Sequence, residues 1–483
     1  MATSLGVVRA YLQHFQFGQA LPNDIEVHPK IRYARSMPER GVFEWELEIL
    51  AKEIILNSPD QGETELLRWN EFSGAINKLK EFENSLGGRH KKIVAPNILV
   101  ELYRIAHRQF HWQVRPNAIM LARYYRLFSH PEMDALCQRE MGLSAKKLYT
   151  IGLMFTGAYL DRFGLTYPFT INVPDITQEQ FDAFVSRFAC EITDLREAIR
   201  SHQSYDQDYA YTFNPLKAHP LLWLTLQGRR TLVAPIPTYL LRRFTEGICY
   251  DLYDSPGFSG AFGTAFQQCV GDAAQAANIV GRLKILDEQR YRVGKNDKDS
   301  VDWIISDDTG HLFVECKTKR LTVRAKMAIA STEALDEELG KMASFVVQTY
   351  KTLVDARAGH YPHWTPDGKP THPIVVTLED WFAFGDRILL EIDRQVRNGL
   401  AARGIDAAIC DQHPYSICSV AEFEQVIQVI EQVGIAKAMA ERFASDRRGW
   451  LLSLAIQDAF PAEYSNLRVD LFPDALSEIG GLQ

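Results

Sequence analysis

The stretch "VDWIISDDTGHLFVECKTKR", Val301 to Arg320, constrains the fold more than any other. Two apolar runs, rich in β-branched and aromatic residues, flank the turn formers Asp308 and Gly310, a pattern that folds as a β-hairpin. A turn closing tightly about Asp308 and Thr309 pairs Asp307 with Gly310 and Ser306 with His311. Counted outward in that register, Asp302 falls directly opposite Glu315. The strand period of two puts Lys317 on the face of Glu315 and sends Cys316 to the other face with Leu312 and Val314, as core packing. Opposed side chains of an antiparallel pair have Cβ atoms about 4.5–5.5 Å apart, and like charges there repel.

A divalent cation between the two carboxylates removes that repulsion, and Mg²⁺ (or Mn²⁺) suits hard oxygen donors. Asp302, Glu315 and the backbone carbonyl of Cys316 are the expected ligands. The Lys317 ammonium is then placed to orient or deprotonate a bound water, or to steady negative charge building at phosphorus. The bland alternative is a surface hairpin whose charges are solvated and pair weakly.

The rest of the chain supplies the layers. Val42–Leu56 and Ala95–Phe110 carry apolar residues at helical spacing, and Thr177 with Gln180 forms a capping box before a long amphipathic run to about His202. "LLWLTLQGRRTLVAPI" reads as two strands joined at Gly228. Beyond it the order becomes helix from about Gly263, strand over Leu283–Val293, the hairpin, helix over about Val323–Asp355, strand at "HPIVVTLED", helix, short strand at "YSICSV", then helices. This predicts an α+β or mixed α/β fold: a mostly helical region over 1–240, an αβββαβ core over 241–432 and a helical tail over 433–483.

Asp302, then Glu315-Cys316-Lys317, resembles the D…(D/E)-x-K signature of the PD-(D/E)XK nuclease superfamily. The similarity runs from about Phe258 to Ala421 and includes "QTYK", Gln348 to Lys351, on the helix after the lysine. It implies a restriction-endonuclease-like core and Mg²⁺-dependent hydrolysis of DNA, with Asp302 and Glu315 as metal ligands and Lys317 as the catalytic lysine. Many members carry a glutamate on the preceding helix, where "GTAFQQCV" has Gln267; an amide can position water but binds Mg²⁺ less strongly. Asp272 is a substitute whose five-residue offset turns it away from that face. A helical front joined to such a core is similar to bacterial anti-phage defence proteins.

Basic residues surround the motif. Lys319, Arg320, Arg292 and Lys295 are the candidate nucleic-acid contacts, among Arg290, Lys298, Arg324 and Lys326. The partner expected is DNA, with RNA open, and the helical front offers a surface for a homo-oligomer or partner protein. The net charge of -8 argues against a protein that coats nucleic acid with its whole surface but leaves room for a local basic groove, and 46% hydrophobic content allows a sizeable core. The 7 cysteines are an odd number without C-x-x-C spacing, which fits a reducing cytoplasm. The start has no signal-type apolar run, and no segment reads as a membrane span. Three features carry weaker signals. His107 and His111 have zinc-compatible spacing without the H-E-x-x-H acid. "GFSGAFG" reads as a flexible lead-in to the helix. "REMGLSAKKLYTIGLMF" faintly resembles a helix-turn-helix. Two other functions follow: a catalytically weak nucleic-acid-binding or assembly module with a nuclease-like fold, or a helix-turn-helix-type regulator.

Overall fold

The computed structural model describes residues 1–32, 39, 41–59, 66–87, 105, 108–113, 117–169, 173–318, 332–381, 386–447, 449–468 and 471–479. Among them no helix is long and apolar enough to cross a membrane. The fold is mixed α and β. It divides into two compact units, Met1–Asn117 with Asp134–Pro256 and Ser477–Gln483, and Ala118–Met133 with Gly257–Leu476. Residues 241–256 thus fall with the first unit and residues 433–476 with the second, unlike the expected bounds.

The first unit is largely helical. Helices α1 (Ala2–Phe17) and α2 (Glu44–Asn57) bury Leu5, Tyr11, Leu12, Leu47 and Ile55, and Tyr11 stacks on Phe72 at 4.3 Å between centroids. Burying each such side chain is worth about 1.5–3 kcal/mol. A four-stranded sheet completes the unit, in the order β1 (Gly164–Thr166), β4 (Arg229–Val233), β3 (Leu221–Leu226), β2 (Ala189–Glu191). The β3–β4 hairpin turns at Gln227 and Gly228, φ 50° and 75°, which is why a glycine stands at the sharper position. The capping box is present, with Gln180 N–H donating to Thr177 Oγ1 and Thr177 N–H to Gln180 Oε1. The helix it starts is not continuous. It runs Gln178–Phe188 (α3), yields to β2, and resumes over Ile192–His202 (α4). Ala189–Glu191 pairs with Leu221–Trp223, so a tertiary strand partner overrides local helical spacing.

The helix-turn-helix segment contains two helices, Pro131–Met141 and Ala145–Asp161, with Ser144 capping the second by accepting from the Lys147 N–H. Leu148, Tyr149, Ile151 and Phe155 of that second helix are buried, as in a packed helical pair. His107 lies outside the described residues; His111 is on the short helical stretch ending at residue 113.

The second unit is built on a five-stranded sheet in the order β11 (Ser416–Ser419), β10 (Thr371–Thr377), β9 (His311–Lys317), β8 (Trp303–Ser306), β5 (Lys284–Asp287). Strands β5, β8 and β9 are antiparallel; β9, β10 and β11 are parallel. All seven positions of β10 are buried, as expected of a strand covered on both faces. Helix α5 (Phe258–Ala277) packs on β9, and α6 (Thr332–Arg357) packs on β9 and β10. Helix α5 begins five residues before the expected start, so most of "GFSGAFG" is helical rather than a flexible lead-in. Gly271 on α5 meets the Trp303 indole, and a Cβ there would lie 2.1 Å from the ring. Helices α7 (Asp386–Ala401), α8 (Val420–Val433) and α9 (Ile435–Arg442) follow, each within or beside an expected helix.

The strand expected over Leu283–Val293 is broken at Glu288 and Gln289. Its second half, β6 (Arg290–Val293), pairs with an unexpected strand, β7 (Asn296–Asp299), in an exposed two-stranded ribbon.

Candidate functional site

The hairpin closes in the expected register. Ser306 pairs with His311, Ile304 with Phe313 and Trp303 with Val314, and the Asp307 N–H donates to the Gly310 carbonyl at 3.1 Å. The next opposed pair outward is Asp302 and Glu315. Counting from Asp307–Gly310 makes it a pair without direct ladder hydrogen bonds, the type in which side chains come closest. The Cys316 N–H agrees, since it donates to Asp302 Oδ2 at 2.5 Å. Within a strand residue the carbonyl points to the same side as the N–H. The Cys316 carbonyl therefore faces the Asp302 side, as the ligand set requires.

Glu315 is buried and accepts from Lys317 Nζ at 2.6 Å. Lys317 lies over the Phe345 ring of α6, 5.5 Å from its centroid, and its side chain keeps a fifth of its surface in solvent. The ammonium is thus paired to Glu315, beside a half-buried Asp302. Burial, then the Glu315 charge, pushes the Asp302 carboxyl up to about 7, although the Cys316 N–H opposes this. Glu315 is also raised, by burial, against the pull of Lys317. Desolvation holds the Cys316 thiol far above its ordinary value; it is no nucleophile.

A third carboxylate is present that the sequence did not disclose. Strand β5 pairs with β8 as Asp287 with Trp303, whereas the Ser300 N–H donates to the Gln289 carbonyl at 3.0 Å. Between these links the single residue Glu288 faces two, Val301 and Asp302. This is a β-bulge, a device that re-aims side chains and recurs beside active sites. The extra residue leaves the ladder, and the Val301 N–H donates instead to the Tyr361 hydroxyl at 3.2 Å. Glu288 adds negative charge that raises both Asp302 and Glu315. Its only sequence signal was an acid in "LDEQR", which reads equally well as an exposed strand position.

Gln267 does not touch Asp302 or Glu315 through any hydrogen bond of the described residues. Its side-chain amide donates to Glu288 Oε2 at 3.3 Å, and its backbone carbonyl accepts from Trp303 Nε1 at 2.8 Å. Asp272 is turned to other partners, as its offset predicted: it is ion-paired with Arg126 and accepts from Gln268 Nε2 at 2.8 Å. Arg292 lies on the ribbon, forked onto Asp297 at 2.6 and 3.1 Å, and Lys295 is exposed at the ribbon's turn. Lys298 is paired with Asp355 at 2.6 Å. Lys319, Arg320, Arg324 and Lys326 lie outside the described residues. Of "QTYK", Tyr350 is buried and donates to the His413 carbonyl, while Gln348 and Lys351 are exposed.

Among the described residues no group of three or more His, Cys, Asp or Glu side chains converges to hold a metal ion. The donors of the opposed pair are nonetheless two carboxylates and a carbonyl, short of positive charge. That set fits Mg²⁺, which takes one or two carboxylates and keeps several waters.

The chain matches no family model, no curated protein and no solved structure.

Proposed function

We propose that the second unit hydrolyses phosphodiester bonds in DNA with the help of a divalent cation. The observation that carries this reading is the opposed Asp302–Glu315 pair, a half-buried and a buried carboxylate with a single ammonium, Lys317, paired to Glu315. A structural ion pair would be balanced, because an uncompensated buried charge is costly. Perturbed carboxylates gathered at a bulge are the usual mark of a working site. The element order supports the same reading, since β5, β8 and β9 of the sheet lie between α5 and α6 and β10 follows.

Asp302, Glu315 and the Cys316 carbonyl would hold Mg²⁺ or Mn²⁺, which when bound supplies a Lewis acid and lowers the pKa of a coordinated water. Lys317 has a definite part. Its ammonium is fixed by Glu315 and by the Phe345 ring, yet reaches solvent. A phosphate oxygen entering from that side would meet a preset donor for the charge that grows at phosphorus. Lys319, Arg320, Arg292 and Lys295 are proposed to follow the backbone of the nucleic acid. A cytoplasmic role in bacterial defence against phage rests on the same resemblance. A plaque assay with wild type and Lys317→Ala tests it.

The lack of a converged three-ligand group among the described residues favours a second reading, a nucleic-acid-binding or assembly module with a weak centre. Incubating the full chain with supercoiled plasmid separates the two, with Mg²⁺ or Mn²⁺ and with Asp302→Asn and Lys317→Ala as controls. Metal-dependent nicking lost in both variants supports the nuclease. Uncut plasmid that is nevertheless retained on the protein supports the module. Equal cutting by all three forms sinks the assignment of these residues.

A further inference from the structure

At the bulge Glu288 faces Val301 and Asp302, and Asp302 is opposed to Glu315. The pairs Asp287–Trp303 and Trp303–Val314 form the adjoining rung of the sheet. Three carboxylates thus adjoin one another, Glu288 just past β5, Asp302 just before β8 and Glu315 on β9. Lys317 pairs with Glu315, and among the described residues no cation forms an ion pair with Asp302 or Glu288. Glu288 is also tethered. It accepts from the amide of Gln267, on the helix position where the nuclease resemblance leads one to expect a glutamate.

We propose that the acidic function absent from Gln267 has moved to Glu288, with Gln267 positioning that carboxylate beside Asp302 for outer contact with a bound divalent cation. The inference rests on the metal-dependent reading above and extends it. Two observations support outer contact over direct ligation. The described carboxylates do not converge as a three-ligand group. Glu288 is exposed, whereas Glu315 is buried, so water can stand between Glu288 and the cation. Carboxylates just outside the ligand set hold metal-bound water and tune affinity, and losing one typically costs about 10–100-fold in metal binding. Gln267 then acts through Glu288 alone. An amide there can donate, which a second carboxylate could not do without gaining a proton.

Mn²⁺ binding to the full chain, read from the electron paramagnetic resonance signal of free Mn²⁺, tests this without any need for turnover. Four forms are compared: wild type, Asp302→Asn, Glu288→Gln, and the double variant Glu288→Gln with Gln267→Glu, which returns the carboxylate to the helix. Binding by wild type is expected to be lost in Asp302→Asn. It should weaken about 10-fold in Glu288→Gln and recover most of that loss in the double variant. A merely structural Glu288 would not give rescue by a carboxylate on a different element. Wild-type affinity in Glu288→Gln, or a double variant no tighter than the single one, overturns the inference and leaves the Asp302–Glu315 site standing. No binding by wild type, or undiminished binding by Asp302→Asn, removes the metal-dependent reading and this inference with it.

Discussion

The two ends of one hairpin treat an aspartate in opposite ways. At the turn, Asp307 Oδ1 accepts from the Thr309 N–H, the Thr309 hydroxyl and the Gly310 N–H at 2.7, 2.7 and 2.8 Å. Its Oδ2 accepts from the Ile435 N–H at 2.8 Å, at the start of α9. These donors hold its carboxyl below the usual range, although burial works the other way. At the open end, Asp302 receives one backbone N–H and faces two other carboxylates, and it is pushed up to about 7. The lesson concerns donor supply. A carboxylate surrounded by fixed N–H groups is finished and holds two segments together. One that is buried, short of donors and beside like charge is left to be completed by a cation or a proton.

The largest expected effect breaks the functional end alone. Lys317→Ala is expected to reduce plasmid cleavage on the order of 10²–10³-fold while DNA retention on a filter stays near wild type. The same substitution should leave the turn and its melting contribution intact. Unaltered cleavage would show that the two ends do not differ in function.

Metal addition sharpens the contrast next. At a Mg²⁺ concentration near 100 times the dissociation constant, linkage stabilises the folded chain by about 2.7 kcal/mol. Wild type and Asp307→Ala should both melt higher when Mg²⁺ is added, whereas Asp302→Asn should not respond. A Mg²⁺ shift of equal size in Asp302→Asn would place the cation elsewhere.

Asp307→Ala probes the structural end. It leaves three backbone N–H groups and a hydroxyl without their acceptor, for a loss on the order of 2–3 kcal/mol. Denaturant unfolding of the second unit's transition reads it. Its cleavage activity per folded molecule should match wild type, which separates a positioning effect from a stability effect.

The smallest effect is a dependence on pH, with opposite sign at the two ends. The folded Asp302 binds a proton more tightly than the unfolded chain does. Its contribution to stability is therefore full below about pH 4 and is lost as pH rises through about 7. Asp307, with a lowered carboxyl, contributes above the unfolded value of 3.8 and loses that contribution as pH falls through its folded value. Without metal, Asp302→Asn should thus melt higher than wild type at pH 8, with the gap narrowing toward pH 4. Asp307→Asn should show its deficit at pH 8 and lose it in acid. A gap for Asp302→Asn that is independent of pH would mean that its carboxyl is not raised.

Much of the candidate site was legible because a hairpin is a local object. The turn formers and the period of two set the register from Ser306–His311 outward, so Asp302 could be placed opposite Glu315 from residues within one short stretch. The β3–β4 hairpin, β10, β11 and the helices after them were legible for the same reason: their signals are spacing and caps within a few residues. The legible part stopped where a partner far along the chain decides the outcome. Ala189–Glu191 continues a helical pattern and still becomes β2, because β3 offers it a ladder. The Asp307 carboxylate could be read as a turn former, but not as the acceptor for the Ile435 N–H.

Glu288 marks the division most clearly. Its face and neighbours depend on a one-residue slip between the β5–β8 ladder and the β6–β7 ribbon, and a slip of one residue reverses every side chain beyond it. Nothing in "LDEQR" specifies where that slip occurs. By itself the sequence determined which residues could carry a charged row and, through hairpin register, that two of them are opposed. Only the tertiary structure decided that Glu288 joins them, that Gln267 holds it, and that the Lys317 ammonium pairs with Glu315. Register propagates along neighbouring strands through local hydrogen bonds, whereas the assembly of a third strand and a covering helix is set by packing of segments that do not adjoin in the chain.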